Sequence, residues 1–162
     1  MSRPVHRSAR ALDSFDKAIL RLVQRNNKMP QREIGEAVNL SAAAVQRRIA
    51  AMEAAGIIRA NVALVDPAAA ALTITSIVEV RLIDEQAATV EAAKALFLAT
   101  PEIQQCYYVT GGISFWLGVG TIDNPALEAL ARRPFRENPA LGSFPSLIAL
   151  DRVKAETGVI IP

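Results

Sequence analysis

Residues 41–54 place side chains that can hydrogen-bond to nucleic-acid bases on one side of a predicted helix. Three apolar residues share a narrow arc and predict its core-facing edge: Val45, Ile49 and Met52. The opposite side carries Gln46 and Arg47 between two small residues, Ala43 and Ala50. Arginine pairs with guanine, and glutamine with adenine, through two hydrogen bonds each. This helix could therefore read base edges in a major groove.

Three more polar residues complete the predicted nucleic-acid contacts: Arg32, Ser41 and Arg48. Arg48 lies at the flank of the helix, where a guanidinium group could reach a phosphate. Charged residues on an outer helix face are common, however. Taken alone, the same pattern also fits an ordinary amphipathic helix whose arginines are solvated.

A second candidate site is the turn from Thr110 to Ser114, which contains Gly111 and Gly112. Glycine exposes backbone amides, and a cluster of amides can hold a carboxylate. The alternative is a β-hairpin turn that binds nothing, and glycine alone does not reject it.

Two short helices and a tight turn are needed to position Gln46 and Arg47. Ile34 and Val38 stand one helical turn apart and give the first helix its core-facing edge. Between them, Gly35 predicts a close helix crossing, since glycine inside a helix is otherwise unfavourable. Asn39 tolerates the left-handed conformation that ends a helix, and Ser41 is a good N-cap for the next one. An earlier helix, beginning at an Asp13 N-cap, completes a three-helix domain.

The remainder of the chain has the order β-α-β-β-α-β, which predicts a ferredoxin-like sandwich with both helices on one sheet face. Its predicted strands are 73–83, 103–109, 115–121 and 143–153, and its helices are 86–99 and 124–133. Ile77 and Trp116 lie out of phase with the apolar side of their strands, which predicts an open face that a second copy of the chain covers. A further strand at 57–65, with Val62 on its apolar side, is the predicted hinge between the domains.

Several motifs together resemble the Lrp/AsnC ("feast/famine") family of transcription regulators. They are Leu12-Asp13, Leu40-Ser41, Arg47-Arg48-Ile49, Gly56-Ile57-Ile58, Asp66-Pro67 and Val109-Thr110-Gly111. The resemblance extends from Ala11 to Lys154. It implies an α+β protein with an N-terminal winged helix-turn-helix and a C-terminal ferredoxin-like βαββαβ domain. The expected divisions are a flexible basic arm (1–11), the DNA-binding domain (12–58), a strand and hinge linker (59–71) and an effector-binding and oligomerisation domain (72–162).

The resemblance also implies partners. It indicates binding to double-stranded DNA and assembly into a homodimer or a larger even-numbered oligomer, with Ile77, Trp116 and Val62 at the interfaces. A small metabolite such as an amino acid would bind at Thr110, Gly111, Gly112 and Ser114.

Two departures from the family pattern bear on these expectations. Gly112 and Ser114 stand where aspartates are common, and a carboxylate there could pair with the ammonium group of an amino acid. Another small carboxylate, or no ligand, therefore remains open. Ala50 and Ala51 replace a lysine and an arginine in the recognition helix, which predicts fewer phosphate contacts and a shallower salt dependence.

Composition narrows the class of protein further. Residues 1–60 carry 11 Lys/Arg against 5 Asp/Glu, whereas residues 61–162 carry 7 against 11. A basic N-terminal part suits a polyanion. The single cysteine, Cys106, excludes an internal disulfide and reads as a small buried hydrophobe. The lack of long apolar stretches predicts a cytoplasmic protein without membrane contact.

No constellation of catalytic residues is evident, so neither a cofactor nor a metal site nor catalysis is expected. His6 is the only histidine, and it lies in the N-terminal tail. An enzyme similar to the siroheme decarboxylases is one alternative, although those rely on histidines. A sensing or assembly module with weak or no DNA binding is the other.

Overall fold

The computed structural model describes residues 11–155 and 158–162, which form two compact units. One unit comprises residues 11–63 together with residues 155 and 158–162, and the other is Leu64–Lys154. The predicted basic arm, apart from Ala11, lies outside the described residues. The return of the C-terminal segment to the first unit differs from the expected C-terminal domain of 72–162.

The first unit contains three helices: α1 (Ser14–Val23), α2 (Gln31–Val38) and α3 (Ala42–Ala54). Their shared core consists of Ile19, Leu20, Ile34, Val38, Val45 and Met52. Helix α1 begins at a capping box, in which the Asp13 carboxylate accepts the Asp16 amide at 2.8 Å and the Asp13 amide donates to the Asp16 carboxylate at 3.4 Å. Both carboxylates thus satisfy amides that a helix start leaves without partners.

The turn between α2 and α3 takes the predicted form. Asn39 adopts the left-handed conformation, with φ 57° and ψ 47°. A Cβ on Gly35 would collide with the carbonyl oxygen of Leu40. The close backbone approach predicted from this glycine is therefore confirmed, and it is what lets the two helices pack across so short a turn.

The strand predicted at 57–65 is wrong, because the structure forms no strand there. The amides of Ile57 and Ile58 both donate to the carbonyl of Met52, at 2.9 and 3.2 Å, and so close the end of α3 instead. The apolar side chains that follow, including Val62 at 65% exposure, have no sheet to pack on. A strand needs a partner for its backbone, and the described part of the chain pairs no strand with this segment.

The described end of the chain packs on α1. The side-chain amide of Gln24 donates to the carbonyl of Val159 at 3.0 Å and accepts its amide at 2.8 Å. Arg21 donates to the carbonyl of Ile161 at 3.2 Å, and the Ile161 side chain packs against the helical core. These last residues are therefore part of the helical unit.

The second unit is an antiparallel sheet covered by helices on one face. Its elements are β1 (Ile74–Leu82), α4 (Ala87–Ala99), β2 (Ile103–Tyr108), β3 (Phe115–Thr121), α5 (Asn124–Leu130), β4 (Leu141–Ser143) and β5 (Ser146–Ile148). The strand order is β2-β3-β1-β4, and β5 also pairs with β1. This is the order of a ferredoxin-like sheet. Phe97, Phe115 and Phe135 make edge-to-face contacts at the centre of its core.

Two predicted elements differ in detail. The helix expected at 124–133 ends at Leu130 and continues as a π-helical turn, Ala131–Arg136. A proline lacks the amide that an α-helix needs, so the wider turn carries the backbone past Pro134. The single strand expected at 143–153 is instead the short pair β4 and β5, interrupted at Phe144 and Pro145.

Candidate nucleic-acid interface and effector loop

The outer face of α3 presents the two predicted base-reading residues to solvent. Gln46 and Arg47 are exposed, and so are Ala43 and Ala50 on either side of them. Among the described residues Arg47 forms no ion pair, so its guanidinium is available to an incoming acceptor. Helix α3 starts where Ser41 Oγ accepts the Ala44 amide at 3.2 Å. That cap leaves the Ser41 hydroxyl hydrogen free for a phosphate.

Arg48 has a different environment from the one expected of a phosphate contact. Its Nη1 atom donates to carboxylate oxygens of Asp13 and Asp16, each at 2.7 Å. Asp16 is fully buried, and the Arg48 guanidinium lies 5.4 Å from the centre of the Phe15 ring. The arrangement ties α3 to the start of α1. Arg48 thus positions the recognition helix, and its predicted contact with phosphate would compete with two carboxylates.

The pKa values of Asp13 and Arg48 are both shifted by their contacts in this cluster. The Asp16 amide first, and the Arg48 guanidinium second, hold the pKa of Asp13 below its ordinary value. The same carboxylates, Asp13 ahead of Asp16, raise the pKa of Arg48. These contacts therefore favour the charged forms of Asp13 and Arg48.

Arg32 lies on the exposed surface of α2. Its Nε atom donates to Glu36 at 2.9 Å, one helical turn away, and both side chains are largely solvated. An exposed pair of this kind contributes little to stability. Arg32 can exchange Glu36 for a phosphate at small cost, and its predicted role stays open.

The loop between β2 and β3 exposes backbone amides as the sequence predicted. Gly111 has φ +123°, a conformation that side-chain-bearing residues rarely adopt. Val109 and Ser114 close the hairpin, with the Val109 amide donating to the Ser114 carbonyl at 3.0 Å. Among the described residues, the amides of Thr110 to Ile113 donate to no partner. They are free to receive an anionic group.

Ser114 does not join these amides. It is buried, and its hydroxyl donates to Glu85 at 2.5 Å while accepting the Leu82 amide at 3.1 Å. Tyr108 donates to the other Glu85 oxygen at 2.8 Å. Ser114 first and Tyr108 second lower the pKa of Glu85, and Glu85 raises that of Tyr108. Ser114 therefore anchors the base of the loop, and a ligand contact by its hydroxyl would require these bonds to break.

A cavity of about 490 Å³ lies beside the loop, on the sheet face without helices. Its lining is uncharged: Gln105, Tyr107, Val109, Thr110, Ile113 and Trp116. The rings of Tyr107 and Trp116 are 5.7 Å apart across paired positions of β2 and β3. Ile77 lies on the same face, opposite Gly118. The two predicted interface residues of the sheet thus lie together on its open face, whereas Val62 belongs to the other unit, in a segment without helix or strand.

Two charged residues of this face were missed by the sequence reasoning. Glu79 is paired with Trp116, and Arg81 lies 3.6 Å from the position that a Cβ of Gly112 would occupy. Their alternation with the buried residues Val78 and Val80 was the available signal.

The expected burial of Cys106 is wrong: the side chain is exposed, because β2 is an edge strand. Among the described residues, no three His, Cys, Asp or Glu side chains are placed to hold a metal ion. No described helix is long and apolar enough to cross a membrane.

Comparison with known proteins gives matches along nearly the whole chain. Residues 12–59 match the winged helix-turn-helix DNA-binding model, and residues 75–159 match the Lrp/AsnC ligand binding domain. An HTH-type transcriptional regulator of Sinorhizobium fredii is 39% identical, over 94% of this chain and 90% of its own. The proline dehydrogenase transcriptional activator of Rhodobacter capsulatus is 30% identical, over 88% of this chain and 92% of its own.

A solved structure gives a similar result. The crystal structure of a Neisseria meningitidis transcriptional regulator in complex with L-Met superposes with a TM-score of 0.86 and 25% identity. The match covers 93% of this chain and 97% of that one.

Proposed function

The chain belongs to the Lrp/AsnC family of transcriptional regulators, and on that basis we propose that it binds double-stranded DNA as a homodimer and responds to a small carboxylate. The observation that carries the DNA-binding part is the outer face of α3. Gln46 and Arg47 are exposed there, and Arg47 has no ion pair among the described residues. In this proposal the pair reads base edges while Ala43 and Ala50 permit close approach. A regulator of this kind works at chromosomal DNA, so cytoplasmic localisation is part of the proposal.

Phosphate contacts are assigned to Ser41 and Arg32. Ser41 sits at the N-terminus of α3, where the helix dipole and free amides favour an anion. Arg48 is left out of this set, because Asp13 and Asp16 already hold its guanidinium. Few phosphate contacts predict a modest affinity for DNA. Recognition of the DNA sequence then depends mainly on Gln46 and Arg47.

The proposed ligand site is the loop Thr110–Ile113 with the adjoining cavity. Four free amides suit a carboxylate, and the uncharged aromatic wall suits an apolar body. The L-Met bound by the Neisseria meningitidis regulator has both parts. Because this loop carries Gly112 and Ser114 rather than aspartates, we do not assign it a partner for an ammonium group. Titrating Trp116 fluorescence with an amino acid and with the matching 2-oxo acid tests this, and no response to either overturns the ligand assignment.

Selection from a random duplex pool, followed by a salt titration, tests the DNA-binding function. Arg47→Ala should weaken binding to the selected sequence by about 1–3 kcal/mol and reduce discrimination against a scrambled duplex. Arg132→Ala removes another exposed arginine, in the other unit, and as the control it should leave both quantities unchanged. If Arg47→Ala weakens binding to both duplexes equally, Arg47 is a phosphate contact. If the wild-type protein binds no duplex even at low salt, the chain is a sensing module.

A further inference from the structure

The five strands of the sheet carry only two charged side chains, Glu79 and Arg81. Both belong to β1, they are two residues apart, and their charges are opposite. The other strand positions are apolar, aromatic or uncharged polar. Ionic contacts through the strands of this sheet are therefore confined to Glu79 and Arg81.

Both side chains lie on the face that the helices leave open. The intervening and preceding residues, Val80 and Val78, are buried in the core beneath α4, so Glu79 and Arg81 point the other way. Glu79 lies opposite Trp116, which belongs to the open face. Arg81 lies over Gly112.

Neither residue has an ion-pair partner among the described residues. Glu79 is already half-buried, beside an aromatic ring. Covering this face without providing a cation would strip water from an unpaired carboxylate, which is strongly unfavourable. Whatever covers the face must therefore bring a positive charge to Glu79 and a negative charge to Arg81.

A second copy of this chain brings both. In a twofold dimer, if one residue contacts a second across the interface, the reciprocal contact follows by symmetry. An acid and a base on a single strand are then self-complementary. In a homodimer whose two open sheet faces meet, we propose that Glu79 of each subunit pairs with the partner's Arg81. This inference rests on the homodimer in the proposed function, and it adds the pair that selects the partner and fixes the register.

The Glu79–Arg81 pair would also couple ligand binding at the loop Thr110–Ile113 to dimer formation. The Arg81 guanidinium lies 3.6 Å from the position that a Cβ of Gly112 would occupy, and the amides next to Gly112 are free among the described residues. A carboxylate bound at those amides would draw on the same guanidinium that holds the partner's Glu79. Ligand binding and subunit pairing would then both involve the Arg81 guanidinium.

Charge reversal tests the inference on the full chain, with native mass spectrometry and sedimentation as readouts. Glu79→Arg places only cations at both contacts, and Arg81→Glu places only anions. Each should weaken homodimerisation by about 100-fold, corresponding to about tenfold at each of two symmetric pairs. The double variant Glu79→Arg with Arg81→Glu should restore the homodimer. An equimolar mixture of the two single variants should form the heterodimer in preference to either homodimer, because both contacts are then complementary.

The heterodimer also guards against misfolding, since a variant that fails to fold cannot be rescued by mixing. Glu128→Arg and Arg132→Glu are the matched controls. These residues form an exposed ion pair, at 2.6 Å, outside the sheet, and neither substitution nor their mixture should alter the assembly.

Homodimers of both single variants as stable as wild type would overturn the inference while leaving DNA recognition intact. So would a mixture without heterodimer preference. A loss of ligand binding with no change in assembly would show instead that Arg81 serves the effector. A wild-type chain that is monomeric but binds its selected duplex would also overturn the inference. Wild-type dimers that bind no duplex would refute the proposed DNA recognition alone.

Discussion

Replacing Arg48 by methionine should destabilise the helical unit more than it damages any direct DNA contact. The substitution keeps an apolar stem beside Phe15 and removes the donor that Asp13 and Asp16 share, at 2.7 Å each. Removing one partner of a fully buried ion pair costs about 3–5 kcal/mol. Here Asp13 is 47% exposed and can regain water, and Asp16 keeps its bond from the Asp13 amide. A loss of about 2 kcal/mol is therefore expected.

Urea unfolding with two probes locates this loss. Trp116, the only tryptophan, lies in the sheet unit, so its fluorescence follows that unit. Circular dichroism at helical wavelengths follows α1 to α3 as well as the two helices of the sheet unit. Arg48→Met should shift a dichroism component to lower urea while the fluorescence transition stays in place.

Acid adds a second signature. The pKa of Asp13 is lowered in the fold, so its contribution to stability is present above its unfolded pKa and is lost as pH falls through the folded value. Without Arg48, this acid dependence should become shallower.

Salt titration of DNA binding separates this role from a phosphate contact. A positioning role predicts weaker binding with little change in the salt slope. A phosphate contact predicts normal stability and a slope smaller by about 0.9. Normal unfolding together with that smaller slope would contradict the positioning role of Arg48, because the guanidinium would then leave both carboxylates for DNA without consequence to the fold. Arg48→Lys is the companion variant, since one ammonium group can replace a single shared donor, and it should recover part of the lost stability.

Two further substitutions test the turn and the loop. Gly35→Ala should destabilise the helical unit by about 1–3 kcal/mol in urea despite the better helix propensity of alanine, because the added Cβ meets the Leu40 carbonyl. Unchanged unfolding would show that α2 and α3 can separate freely. Ser114→Ala removes the largest cause of the lowered pKa of Glu85. The stability that Glu85 contributes above its unfolded pKa, lost as pH falls through the folded value, should then diminish. An unchanged carboxyl titration by nuclear magnetic resonance would contradict the assigned hydrogen bond.

Local signals in the sequence predicted the helical unit well. Asp13, Asn39 and Ser41 cap their helices as expected, because caps depend on a few neighbouring backbone groups. Gly35 was likewise predicted from its own unfavourable position. The residues that the sequence could not place depend on distant neighbours. The sequence around Arg48 resembles that of an exposed cation. Its two carboxylate partners lie 32 and 35 residues away in the sequence, at the start of α1.

The sheet unit shows the same limit. Alternation predicted β1, β2 and β3 nearly to their ends, but the strand expected at 57–65 failed. Its residues have strand propensity, yet propensity supplies no partner for the backbone. Ser114 was assigned to the ligand from its place in the loop, and the burial that turns its hydroxyl to Glu85 depends on the connection after β1.

Because our proposal leaves Arg48 out of the residues that contact DNA, more of the sequence recognition has to come from the assembly of two subunits. In our proposal one recognition helix offers Gln46 and Arg47, and good bidentate base contacts each discriminate by about 1–3 kcal/mol. A single helix therefore distinguishes too few base pairs to find one site among many competing ones. Two helices in a twofold dimer read two half-sites, and their discrimination adds. If this chain recognises DNA as such a dimer, its sequence recognition depends on which partner it selects. In our proposal Glu79 and Arg81 make that selection, so a charge reversal on the sheet should weaken DNA discrimination although neither residue touches DNA.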